Sequence, residues 1–157
     1  MGHRGDRFTQ RSLRGGVVRA RGGPLSELIT SGESARGPLD GFVATLVDAA
    51  VRGAEEKLGI EVVALDLREL VDSFDVLVIA SGRNDRQVRA IAEEVERFVD
   101  LALGIKPLRV EGMAGAQWIA IDYGDVIVHV FDEETRGYYD LEHLWNAARV
   151  LRREPTL

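Results

Sequence analysis

Apolar residues recur at three- and four-residue steps from Phe42 through Val43, Leu46, Val47, Ala50 and Ala54. That spacing lines one face of a helix ending near Leu58-Gly59. Asp40 suits its N-cap, because a carboxylate there can accept a free backbone N–H of the first turn. The period then shortens. Residues 61–67 form a β-branched run that predicts a strand. Residues 74–80 predict a second, apolar on both faces after Asp75 and therefore central in a sheet. Ser81-Gly82 predicts its end. Asn84 or Asp85 caps the next helix, whose buried stripe is Val88, Ile91, Val95, Phe98 and Ala102, with Gly104 at its C-terminus. Residues 107–111 read as an edge strand, where Pro107 is tolerated. Residues 117–123 and 126–131 pair as a hairpin across Gly124-Asp125. Tyr138, Leu141, Leu144, Trp145 and Ala148 share one face of a last helix. The order α-β-β-α-β-β-β-α predicts an α/β (α+β) fold, a mixed five-stranded sheet with helices packed on it.

The 157 residues are 45% apolar and 29% charged, enough for one core of ordinary size. The absence of cysteine excludes disulfides, a thiol nucleophile and Cys-based metal sites. The three histidines, His3, His129 and His143, are not spaced as a metal pair. No apolar run is long enough for a membrane helix, and no apolar segment follows the basic N-terminus as in a secretory signal. A cytoplasmic protein is expected.

The net charge of −6 hides an asymmetry. Residues 1–38 hold seven arginines against Asp6, Glu27 and Glu33; the remainder has 13 basic and 23 acidic side chains, a net of −10. The first 38 residues also hold eight of the 17 glycines and no sustained apolar period, so a disordered basic tail is expected there. It reads as a dispensable extension, an upstream start, a transit segment or an arm touching rRNA phosphates. The folded domain is expected over 39–151, with a short tail at 152–157. An acidic domain repels nucleic acid and attracts basic proteins.

Candidate chemistry is thin. The turn Ser81-Gly82-Arg83-Asn84-Asp85 offers a helix N-terminus to an anion, but it lacks a glycine series and a following Lys-Ser/Thr. Asp122 and Asp125 flank a tight turn and could hold Mg²⁺ beside phosphates, yet no third acid converges by sequence. Together these residues define one alternative, a nucleotide-binding or nucleotidyltransferase-like enzyme. Asp132-Glu133-Glu134 reads as a solvated acidic loop. His129 alternates with Ile127 and Phe131 and reads as a half-buried structural histidine, and His143 as exposed. The aromatic residues say more. Trp118, Tyr123, Phe131, Tyr138, Tyr139 and Trp145 fall within 28 residues. Trp118 shares a face with Ala120 and Asp122, which looks the more open one. Exposed tryptophan and tyrosine anchor protein interfaces, although pattern alone leaves core and interface equally open.

The segments W-I-A-I-D-Y-G-D-V-I-V-H-V-F (118–131), R-G-Y-Y-D-L-E-H-L-W (136–145) and A-L-D-L-R-E-L-V-D-S-F-D-V-L-V-I-A-S-G-R-N-D-R-Q-V (64–88) resemble the Iojap-like family of ribosomal silencing factors. The likeness covers about residues 42–146. It implies a mixed sheet related to nucleotidyltransferases but without their catalytic signature, hence no enzyme and no cofactor. It implies a translational repressor that binds the large ribosomal subunit through its protein number fourteen and blocks small-subunit joining. It also implies a homodimer off the ribosome. The family's interface positions fall here on Trp118, Tyr139 and Leu141, with Asp140 and Trp145 nearby. Position 140 often carries Glu in the family; Asp keeps the charge.

Overall fold

The Asp40 carboxylate accepts the Phe42 N–H at 2.9 Å and starts α1 (Gly41–Glu56) as the sequence predicts. The computed structural model describes residues 37–153. After α1 come β1 (Ile60–Asp66), β2 (Val76–Gly82), α2 (Asp85–Leu103), β3 (Arg109–Glu111), β4 (Trp118–Asp122), β5 (Val126–Asp132), α3 (Glu133–Tyr139), α4 (Leu141–Leu144) and β6 (Arg149–Arg153). The arm before residue 37 and the residues after 153 lie outside the described residues, so the expectations of a disordered tail and an rRNA contact fall there.

The sheet has six strands in the order β3-β4-β5-β2-β1-β6, mixed because β2 and β5 run parallel while the other neighbours are antiparallel. β2 is central and buried at every residue, and β3 is an edge, both as predicted. The β4–β5 hairpin closes across Gly124-Asp125, where the Tyr123 N–H donates to Val126 O.

Period-two alternation sends the strands' side chains into two cores. Val78, Ala80, Val128, Val130, Ile119 and Ile121 face α1 and α2. Leu77, Ile79, Ile127, Phe131 and Ala120 face the segment 67–74 and the chain around α4. Each fully buried Ile or Leu contributes about 1.5–3 kcal/mol. The two helices meet at Gly53, where a Cβ would lie 2.8 Å from Glu94 O and Val95 Cα. Only glycine allows that approach. Asn84 caps α2 by accepting the Gln87 N–H at 2.8 Å, and Gly104 ends it in the left-handed conformation at φ 66°.

Four expectations change. The sheet gains β6, an edge strand the sequence reading missed, which crosses the boundary expected at residue 151. Its arginines hide it: Arg152 reaches back to Asp48 and Glu55 of α1. β2 runs through Ser81 and Gly82 instead of breaking there, because parallel pairing with β5 extends to Gly82↔Asp132. Phe42 lies 45% exposed, off the buried stripe of α1, and Ala102 is exposed on α2, where Val99 takes the buried place. The folded part also reaches back past residue 39. The buried Arg68, in a bidentate pair with Asp66, donates to Gly37 O at 2.7 Å and Pro38 O at 3.3 Å. Among the described residues no helix is long and apolar enough to cross a membrane.

Candidate functional site

β4 opens with Trp118 opposite Phe131 of β5. This register sets the half-buried indole at the margin of the second core. Its ring centroid lies 4.5 Å from that of Phe131 and 5.3 Å from that of His129. Its Nε1–H donates to His129 Nδ1 at 2.6 Å. His129 is fully buried, not half-buried as expected, and burial pushes its pKa down to about 3. The imidazole is therefore neutral near pH 7, and its unprotonated Nδ1 is the acceptor that fixes the indole. The face that Trp118 shares with Ala120 and Asp122 is not open. Ala120 and Asp122 are buried, and the chain around α4 covers the second core; only Trp118 reaches the edge.

The acidic stretch after β5 is a helix start instead of a loop. Asp132 caps α3 by accepting the Thr135 N–H at 2.7 Å, and Glu133 and Glu134 sit in the first turn, where the helix dipole favours negative charge. α3 ends at Asp140 in the left-handed region (φ 48°, ψ 55°), its N–H bonded to Arg136 O. That break resets the helical period. Tyr138, expected in the core stripe, is instead 82% exposed, while Leu141 and Trp145 turn inward at 3% each. Tyr139 is 40% exposed and packs on Trp118, with ring centroids 4.3 Å apart; Tyr138 meets Tyr139 edge-on at 5.1 Å.

The structure thus brings together Trp118 and Tyr139, with exposed Asp140 beside them. Leu141 and Trp145, expected with them, are instead buried in the second core. Beside the Trp118–Tyr139 pair lie Tyr138, expected in the core stripe, and Arg136 and Glu142, which the sequence does not single out. Arg136 is the one buried residue of α3. Its guanidinium donates to Glu142 Oε1, Ile60 O, Glu61 O and Ser81 Oγ at 2.6–3.0 Å. No sequence signal marks Arg136, because its partners lie as far as 76 residues away. The guanidinium borders a cleft of about 290 Å³, lined also by Glu61, Glu133, Asp140 and Glu142. His143 is exposed, as expected.

The residues of the enzymatic alternative do not converge. Ser81 and Gly82 end β2, whereas Asp125 O receives the N–H groups of Asp75 and Val76 at its start. Five strand residues separate them, about 16 Å. The turn's own side chains also satisfy its donors: Arg83 N–H goes to Gln87 Oε1 and Arg86 N–H to Asp85 Oδ1. Asp122 is buried, and its Oδ1 accepts the Gly124 N–H. Among the described residues no three His, Asp or Glu side chains group as a metal site.

A family model described as "Ribosomal silencing factor during starvation" matches residues 43–156. The chain is 39% identical over 109 residues to ribosomal silencing factor RsfS of Halalkalibacterium halodurans, covering 69% of this chain and 92% of that protein. A crystal structure of a Chromobacterium violaceum protein superposes with a TM-score of 0.62 at 31% identity, covering 71% of this chain and 88% of that one. A more distant mouse relative, 27% identical over 78% of this chain and 56% of its own length, is named mitochondrial assembly of ribosomal large subunit protein 1.

Proposed function

The chain belongs to the ribosomal silencing factor family, and on that premise we propose that it docks on protein number fourteen of the large ribosomal subunit and sterically prevents joining of the small subunit. One observation carries the reading. Trp118 and Tyr139 pack against each other at the surface, with Tyr138 beside them, on a domain of net charge −10 over residues 39–157. Exposed aromatics anchored to a rigid sheet are what a protein interface uses. Glu133, Glu134 and Asp140 around them favour a basic protein and repel rRNA. The mouse relative's name ties a member of this group to the large subunit.

Blocking subunit joining requires only occupation of a surface. A repressor of this kind needs no reacting group, and Leu141 and Trp145 contribute by holding the face from below. Titration of purified protein fourteen with this chain tests the contact. Tyr139→Ala should weaken it by about thirtyfold, the effect of losing an anchor worth about 2 kcal/mol. Wild-type affinity in both Tyr139→Ala and Trp118→Ala would move the contact elsewhere.

A further inference from the structure

α3 presents Tyr138 and Tyr139, yet it has no buried apolar side chain of its own; its one buried residue is Arg136. Most helical stability comes from packing an apolar face, and a seven-residue helix is far too short to persist alone. Two things hold it to the domain: the Tyr139–Trp118 contact and the Arg136 guanidinium. That guanidinium ties α3 to three other elements. Nη1 donates to Ser81 Oγ at 2.6 Å at the end of β2 and to Ile60 O at 3.0 Å; Nη2 donates to Glu61 O at 2.7 Å; Nε donates to Glu142 Oε1 at 2.7 Å in α4. Ile60 and Glu61 lie at the irregularity where the β1–β2 register shifts, and Glu61 has φ 48°. Both carbonyls accept from Arg136 at this irregularity.

We propose that Arg136 is a positioning residue for the docking face: it fixes α3 so that Tyr139 lies against Trp118 in the geometry the ribosomal partner meets. This rests on the docking face proposed above. The planar fork is what the task needs. It fixes direction as well as charge, and a lysine's single ammonium cannot reach acceptors on β1, β2 and α4 at once.

The test is a double-mutant cycle read by affinity for isolated large subunits. Arg136→Met should weaken binding about tenfold in the wild-type background and less than about twofold in the Tyr139→Ala background, because a positioning residue acts through the group it positions. Arg136→Lys should fail to restore binding. Near-UV circular dichroism in a Trp145→Phe background, which isolates Trp118, should show its signal shrink in Arg136→Met as it does in Tyr139→Ala. Should Arg136→Met fold poorly, Glu142→Ala removes one acceptor of the fork and should move both readouts the same way by a smaller amount. Equal losses in the two backgrounds, full rescue by lysine, or an unchanged Trp118 signal would overturn the proposal. If Tyr139→Ala and Trp118→Ala both bind normally, the docking face itself fails; the Trp118 signal then still reports, without the ribosome, whether Arg136 orders Tyr139.

Discussion

The Trp118 indole is gripped on its inner side by His129 and Phe131 and covered on its outer side by Tyr139. Truncating Tyr139 and Trp118 should therefore have different consequences. Tyr139→Ala removes a surface ring and should change stability by less than about 1 kcal/mol while weakening partner binding. Trp118→Ala also opens the edge of the second core and removes the donor to His129, so it should cost about 1–3 kcal/mol of stability as well. Urea denaturation alongside a binding assay separates the two effects. His129 adds a pH dependence. In the unfolded chain it takes a proton near pH 6.5, whereas in the folded protein burial delays this to about pH 3. The unfolded state thus binds more protons between those values, and stability rises with pH there, by up to about 1.4 kcal/mol per unit. Denaturation from pH 7 to 5 should show this slope in the wild type and lose it in His129→Gln, which keeps an acceptor and cannot titrate. An unchanged slope in the variant would contradict the burial argument.

At the scale of elements, the long periodic segments were legible and the short polar ones were not. α1 and α2 declared themselves because burial on a fixed period dominates their sequences, and β2 because an unbroken apolar run marks a central strand. β6 did not, since an edge strand can carry arginines on positions a central strand would forbid. The end of α3 and all of α4 read as one short helix from Tyr138, preceded by an acidic loop. The left-handed Asp140 between them is invisible to a periodicity argument, and it alone decides that Tyr138 faces out while Leu141 and Trp145 face in. The Trp118–Tyr139 pairing could be suspected from the residue types, but the Arg136 network joins residues up to 76 apart and follows only from the fold. The α1–α2 crossing offers a direct check. Gly53→Ala puts a methyl 2.8 Å from the α2 backbone, so the helices must separate. A loss of about 1–3 kcal/mol is expected in thermal or urea unfolding, against the small gain that Gly→Ala gives in an open helix.

Across the whole molecule, charge is divided between a basic arm and an acidic domain, seven arginines lying within the first 38 residues. The aromatic face sits on the acidic part, which makes long-range attraction to a basic partner a property of the domain alone. Removing residues 1–36, while keeping Gly37 and Pro38 for Arg68, should leave the melting temperature and subunit binding near wild type. A loss of binding that is largest at low salt and shrinks as salt rises would assign the arm to rRNA phosphates instead. Occupation of the large subunit at the expense of joining is open to sucrose-gradient sedimentation of separated ribosomal subunits, mixed with purified protein before joining conditions are restored. The protein should travel with large subunits and deplete the joined-ribosome peak, with little on small subunits or intact ribosomes. Equal association with all three particles, or an undiminished joined peak with the protein bound, would contradict it.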